Sequence, residues 1–92
     1  MAKSIMSNKK ECFVCGTTVG IHKHHIYGGP NRKLSEKYGC WVYLCGPHHN
    51  LSDAGIHFNK ELNKAMKEYC QVKFESMYGH DYFMQVFRKN YL

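Results

Sequence analysis

Two short ligand pairs, Cys12-x2-Cys15 and Cys45-x2-His48, lie in separate segments of a chain of only 92 residues. Each pair has the two-residue spacing of structural zinc sites, and three thiolates with one imidazole match a closed tetrahedral site. Joining the pairs pins a knuckle at Cys12-Phe13-Val14-Cys15-Gly16 to the start of the segment carrying His48. So short a chain buries only a small core, and zinc binding supplies folding free energy directly. Ordinary buried cysteines are the alternative, but they do not require both pairs to be spaced as ligands.

The length fits one domain and excludes a barrel enzyme or a dinucleotide-binding domain. Hydrophobic residues at 43% and aromatics at 14% argue against disorder. No apolar run approaches the roughly 18 residues of a membrane span, and MAKSIMSNKK has no stretch suited to a signal peptide. With an odd count of 5 cysteines, the expectation is an intracellular, reducing location, where cysteines read as metal ligands before disulfides. The charge balance is 13 − 7 = +6. It suits a polyanion partner, although many unrelated small proteins are basic too.

Along the chain, residues 1–10 form a polar, basic arm. Val19 to Ile26 reads as a strand with Gly20 as its weak point, and Tyr27-Gly28-Gly29-Pro30-Asn31 as a loop. Leu34 to Tyr38 fits one helical turn closed by Gly39. Cys40 to Cys45 has the composition of a buried strand. Gly46-Pro47 opens a helix over His48 to about Ala54, stopped by Gly55. Asn59 is the expected N-cap of a longer helix, with Leu62, Met66, Tyr69, Cys70, Phe74 and Met77 at helical spacing. Gly79 ends it, and Asp81 is expected to cap a last helix with Phe83, Val86 and Phe87 on its apolar side. The tail helix carries lysines and glutamates in alternation, the pattern of a solvated face.

Between the ligand pairs lies a second cluster. His24-His25 ends the first strand, and His49 directly follows the last zinc ligand. The zinc site brings His49 toward that strand, so three imidazoles can converge. Phosphodiester hydrolysis needs a base for water and a metal to offset charge in the transition state. Histidine suits the base, because its pKa lies near neutrality. In a regular strand, however, His24 and His25 point to opposite faces. His22 shares a face with His24 and reads as structural or DNA-facing.

With these residues in this order, the chain resembles the HNH nuclease family, the zinc-stapled branch of the ββα-metal fold. It is similar to short HNH proteins of bacteriophages. The resemblance covers about residues 12–50. It implies an α+β fold with a small ββα-metal (His-Me finger) core over 12–55, a structural zinc knuckle and a C-terminal helical tail over 59–92, all in one domain. It implies a DNA endonuclease with His25 as general base and His24 and His49 as ligands of one catalytic divalent ion, such as Mg2+, Mn2+, Ni2+ or Zn2+. Products would then carry 3′-hydroxyl and 5′-phosphate ends. Asp53, four residues after His49 on the same helical face, and His57 are candidates for a third ligand. Each has a plain surface role as its alternative.

Two positions depart from the family pattern. Cys40 stands nine residues before His49, where the family has an Asn that braces the loop positioning the base. A thiol is a poor hydrogen-bond partner. His24 stands where an Asp is usual, which favours Zn, Ni or Mn-type ions over Mg.

Lys23, Arg32, Lys33 and Lys37 surround the histidines in sequence and are the expected phosphate contacts, with Lys9 and Lys10 adding to the cradle; a solvated basic loop is the alternative. Nothing resembles a base-reading helix, so the implied partner is double-stranded DNA with little sequence preference. A phage-encoded protein acting inside a bacterial host is the expected setting. Two rivals remain open: a catalytically inactive zinc module that binds nucleic acid, and an accessory or inhibitor protein that binds another protein through its helical tail. Cys40 favours either rival; the set His24, His25 and His49 favours the enzyme.

Overall fold

The structure, a computed structural model, describes residues 3–49 and 59–92. It is a small α+β fold. Strand β1 (Ile21–His25) is followed by a 3-10 turn (Gly29–Asn31), helix α1 (Arg32–Tyr38) and strand β2 (Trp41–Cys45). Helices α2 (Gly46–His49), α3 (Lys60–Tyr78) and α4 (His80–Phe87) complete the order. The two strands form one antiparallel sheet in which His22 faces Leu44, His24 faces Val42 and His25 faces Trp41.

This register divides the sheet into two faces. His22, His24, Val42 and Leu44 share one; Ile21, Lys23, His25, Trp41, Tyr43 and Cys45 share the other. Val42 and Leu44 are buried in a core completed by Met66, Cys70 and Phe74 of α3 and Phe83 and Phe87 of α4. The N-terminal arm runs along the free edge of β2 and borders the other face. Ile5 N–H donates to the Gly39 carbonyl (2.9 Å) and Phe13 N–H to that of Tyr43 (2.8 Å). Gly39 is required on two counts: its φ is +74°, and a Cβ there would stand 2.1 Å from the Lys3 carbonyl oxygen.

Asn59 caps α3 as expected, its Oδ1 accepting from Leu62 N–H at 3.0 Å. The buried stripe is narrower than the sequence suggests. Met66, Cys70 and Phe74 are buried, whereas Tyr69 and Met77 are exposed, because the core covers only the i, i+4, i+8 row of the helix. Gln71, polar yet fully buried, donates from Nε2 to Glu75 (2.7 Å) and Asn90 (2.8 Å) and accepts from Tyr91 N–H (2.8 Å). It fastens the C-terminal segment to α3. Asp81 is not a cap: α4 begins at His80, and Asp81 sits in its first turn, where a carboxylate still favours the positive helix end.

Tyr27, expected in a loop, is buried. Its ring packs on Phe87 and Tyr91, with centroids 4.5 and 5.1 Å apart. Its hydroxyl donates to the Lys67 carbonyl at 2.7 Å. Burial holds that phenol well above its ordinary pKa, assisted by the neighbouring Cys70 and Cys40 thiols, so it stays a donor. Among the described residues, no helix is long and apolar enough to cross a membrane.

Candidate metal centre and imidazole cleft

The knuckle forms because Gly16, at φ +79°, reverses the chain so that its N–H reaches the Cys12 carbonyl (2.8 Å) and Cys12 N–H reaches Thr17 (2.8 Å). β2 delivers Cys45 at its end, and the first turn of α2 delivers His48. One ligand atom from each of Cys12, Cys15, Cys45 and His48 falls within 4.8 Å of all the others. Cys15 Sγ and Cys45 Sγ are 3.7 Å apart, Cys12 Sγ and His48 Nδ1 3.8 Å, and Cys45 Sγ and His48 Nδ1 3.1 Å. A tetrahedral ion with Zn–S of about 2.3 Å spaces its sulfurs by roughly 3.8 Å. The donor set and its spacing therefore fit a metal ion such as zinc. None of the five cysteines is in a disulfide.

The thiols are tuned unequally. Burial alone would raise the pKa of Cys12, but backbone amides of Cys45, Cys15 and Val14 outweigh it and bring the thiol down to about 6. Burial raises that of Cys45, and the sulfurs of Cys12 and Cys15 add to the rise against the His48 amide. The backbone favours the Cys12 thiolate, whereas the Cys45 thiol needs a cation to lose its proton.

Next to this centre, His48 and His49 diverge from the same turn. His49 turns to β1, where its Nδ1 lies 3.4 Å from His22 Nδ1 and its ring 5.3 Å from that of His24. The imidazole trio is thus His22, His24 and His49, with His22, expected to be structural or DNA-facing, as its third member. His25 points to the other face. Its Nε2 is 3.0 Å from Glu36 Oε1 of α1, and Lys23 Nζ lies 3.3 Å from the same carboxylate. Strand alternation separates His24 from His25, but both reach the rim of one cleft of about 390 Å³.

Lys23, Arg32 and His49 also line that cleft, together with Asn63 and Lys67 of α3. Of the four basic residues expected near phosphate, Lys23 and Arg32 line it; Lys33 and Lys37 do not. Lys67 was hidden in the mixed-charge pattern of α3, which alone suggests a solvated face. Asp53 and His57 lie outside the described residues.

Cys40 is fully buried, and although its carbonyl accepts from Ile26 N–H at 2.9 Å, its side chain does not brace the loop after β1. Its thiol pKa is pushed up by a hydrogen bond with Cys70 and by burial, which leaves it a neutral core group. Ser35 braces the loop instead: its Oγ donates to the Tyr27 carbonyl (2.7 Å) and accepts from Tyr27 N–H (3.1 Å). Asn31 is tied elsewhere, its amide donating to the Phe87 carbonyl at 3.4 Å. Ser35→Ala strands both backbone groups of Tyr27 in the core, at about 1–3 kcal/mol each. At the lower bound of about 2 kcal/mol the melting temperature falls by roughly 8–16 °C, and an unchanged one would remove Ser35 from this role.

The hydrogen bond with His25 holds the Glu36 carboxyl below its usual pKa; partial burial opposes this, and Lys23 adds to it. A depressed carboxylate contributes stability above the unfolded pKa, about 4.3, and loses it as pH falls through the lower folded value. Parent and Glu36→Gln should therefore differ most in urea midpoint above about pH 5, and the gap should shrink as pH falls below about 4.3 toward the lower folded value. A constant gap down to pH 3 would contradict the pairing.

No protein-family model matches the chain, and neither a curated protein nor a solved structure shows significant similarity to it.

Proposed function

We propose that the chain is a small metal-dependent DNA endonuclease of the HNH type, with β1, β2 and α2 as a ββα-metal core. The observation that carries this reading is the cleft where His24, His25 and His49 meet Lys23, Arg32 and Lys67. His24 and His49, with His22 beside them, offer nitrogen donors for a divalent ion, which would supply Lewis-acid stabilisation of the departing 3′ oxygen. A structural zinc on Cys12, Cys15, Cys45 and His48 holds α2 against β1.

His25 is the base. With Nε2–H directed to Glu36, its Nδ1 lone pair accepts a proton from water, and the resulting hydroxide attacks phosphorus. Glu36 acts as a positioning residue, fixing ring and tautomer. Lys23, Arg32 and Lys67 offset the added charge of the five-coordinate phosphorane. Duplex DNA read through its backbone is the substrate that such contacts fit, because none of them discriminates bases.

Supercoiled plasmid incubated with Mg, Mn, Ni or Zn ions should be nicked, leaving ends that a ligase can reseal. No cleavage with any of the four ions sinks the enzyme reading. The inactive zinc module would then account for salt-dependent DNA binding, with the buried Cys40 as the observation in its favour.

A further inference from the structure

A second concavity, of about 400 Å³, runs between the N-terminal arm and the outer face of the sheet. Lys3, Lys9, Lys10 and Lys23 line it with the rings of Trp41 and Tyr43, and among the described residues no acidic side chain lines it. Lys3, Lys9 and Lys10 are exposed. Lys23 Nζ lies 4.2 Å from the centre of the Trp41 ring and Lys10 Nζ 5.8 Å from that of Tyr43. The two rings meet edge to face with centroids 5.3 Å apart. Trp41 is only 9% exposed, yet its indole N–H has no hydrogen-bond partner among the described residues. A buried donor left so invites an acceptor.

Lysines alternating with aromatic rings in a groove are the combination that single-stranded nucleic acid uses: cations track the phosphates and rings stack on unpaired bases. Lys23 lines both this groove and the imidazole cleft, so one basic track joins them. We propose that the groove holds a single strand of nucleic acid, the unpaired continuation of the strand whose phosphate occupies the cleft. Lys10 moves from the Tyr43 ring onto a phosphate and uncovers that face for a base, while Lys23, held by Glu36 at 3.3 Å, stays where the groove meets the cleft. The link to the cleft rests on the nuclease reading; binding in the groove does not. The preferred substrate is then a junction with an unpaired flank rather than a continuous duplex.

Trp41 is the sole tryptophan, so its emission reports on the groove. The full-length protein, with no divalent ion added, is titrated with a short single-stranded oligonucleotide. Emission should be quenched, with affinity falling steeply as salt rises. Lys9→Glu with Lys10→Glu should weaken binding about tenfold or more, while Lys9→Arg with Lys10→Arg retains it. Lys73→Glu with Lys89→Glu, the same charge change away from the groove, should alter it less than about twofold. Equal losses in both Glu pairs, binding without a Trp41 response, or equal competition by a blunt duplex would overturn the proposal. Plasmid nicking is measured alongside. Nicking with an indifferent groove variant defeats the groove alone; groove binding without nicking by the parent defeats the nuclease alone.

Discussion

Removing the metal with a chelator, or replacing Cys45 by Ser, is expected to leave the chain without a cooperative melting transition. Cys45 is a buried member of the core and stands 3.1 Å from His48 Nδ1 and 3.7 Å from Cys15 Sγ. The centre ties three pieces together: the knuckle, the end of β2 and the first turn of α2. Structural zinc in small domains contributes about 10–16 kcal/mol at neutral pH, whereas a whole domain is stable by about 5–15 kcal/mol. Loss of the ion therefore exceeds what the aromatic core around Phe74 and Tyr27 retains. The purified protein should carry one zinc per chain, and Cys70→Ala, outside the cluster, should keep it while losing only packing energy. Melting that is identical before and after chelation would show that the cluster does not hold a folding metal.

The second large effect concerns the cleft. His25→Ala should lower plasmid nicking by about 10²- to 10⁴-fold, the range for removal of a general base, with zinc content unchanged. Glu36→Gln should fall between parent and His25→Ala and alter the pH profile of nicking, since it changes the group that orients the base rather than the base itself. Lys33→Ala should leave the rate within about twofold of the parent, because Lys33 stands outside the cleft, where a surface charge is screened. Full activity in His25→Ala would defeat this mechanism even if the protein cuts DNA.

How much of this was legible in advance depended on range. The two ligand pairs are local: Cys12 and Cys15 are held by one turn, Cys45 and His48 by another, and spacing alone marks them as a set that could hold a metal ion such as zinc. Asn59 and Gly79 mark the ends of α3 for the same reason, since a cap acts within one turn. Ser35 gave no such signal. Its hydroxyl replaces the expected bracing amide because α1 places it beside Tyr27, and a serine in a short polar helix carries no mark of burial. The expected Asn position instead became core, as Cys40 packs against Cys70 of a helix that follows much later in the chain.

The sequence by itself determined the ligand chemistry, the helix ends and the order of the elements, because each is written in contacts between near neighbours. Only the tertiary structure decided which imidazoles meet. Strand alternation, legible in advance, sets His22 beside His24 and His25 opposite; the fold adds His49 to the first pair and Glu36 to His25. It also decided that Lys67 belongs to the cleft and that Lys9 and Lys10 share a groove with Trp41. These are pairings between distant segments, fixed by the register of β1 on β2 and by the packing of α3 and the arm against the sheet. No periodicity along the chain encodes such distances.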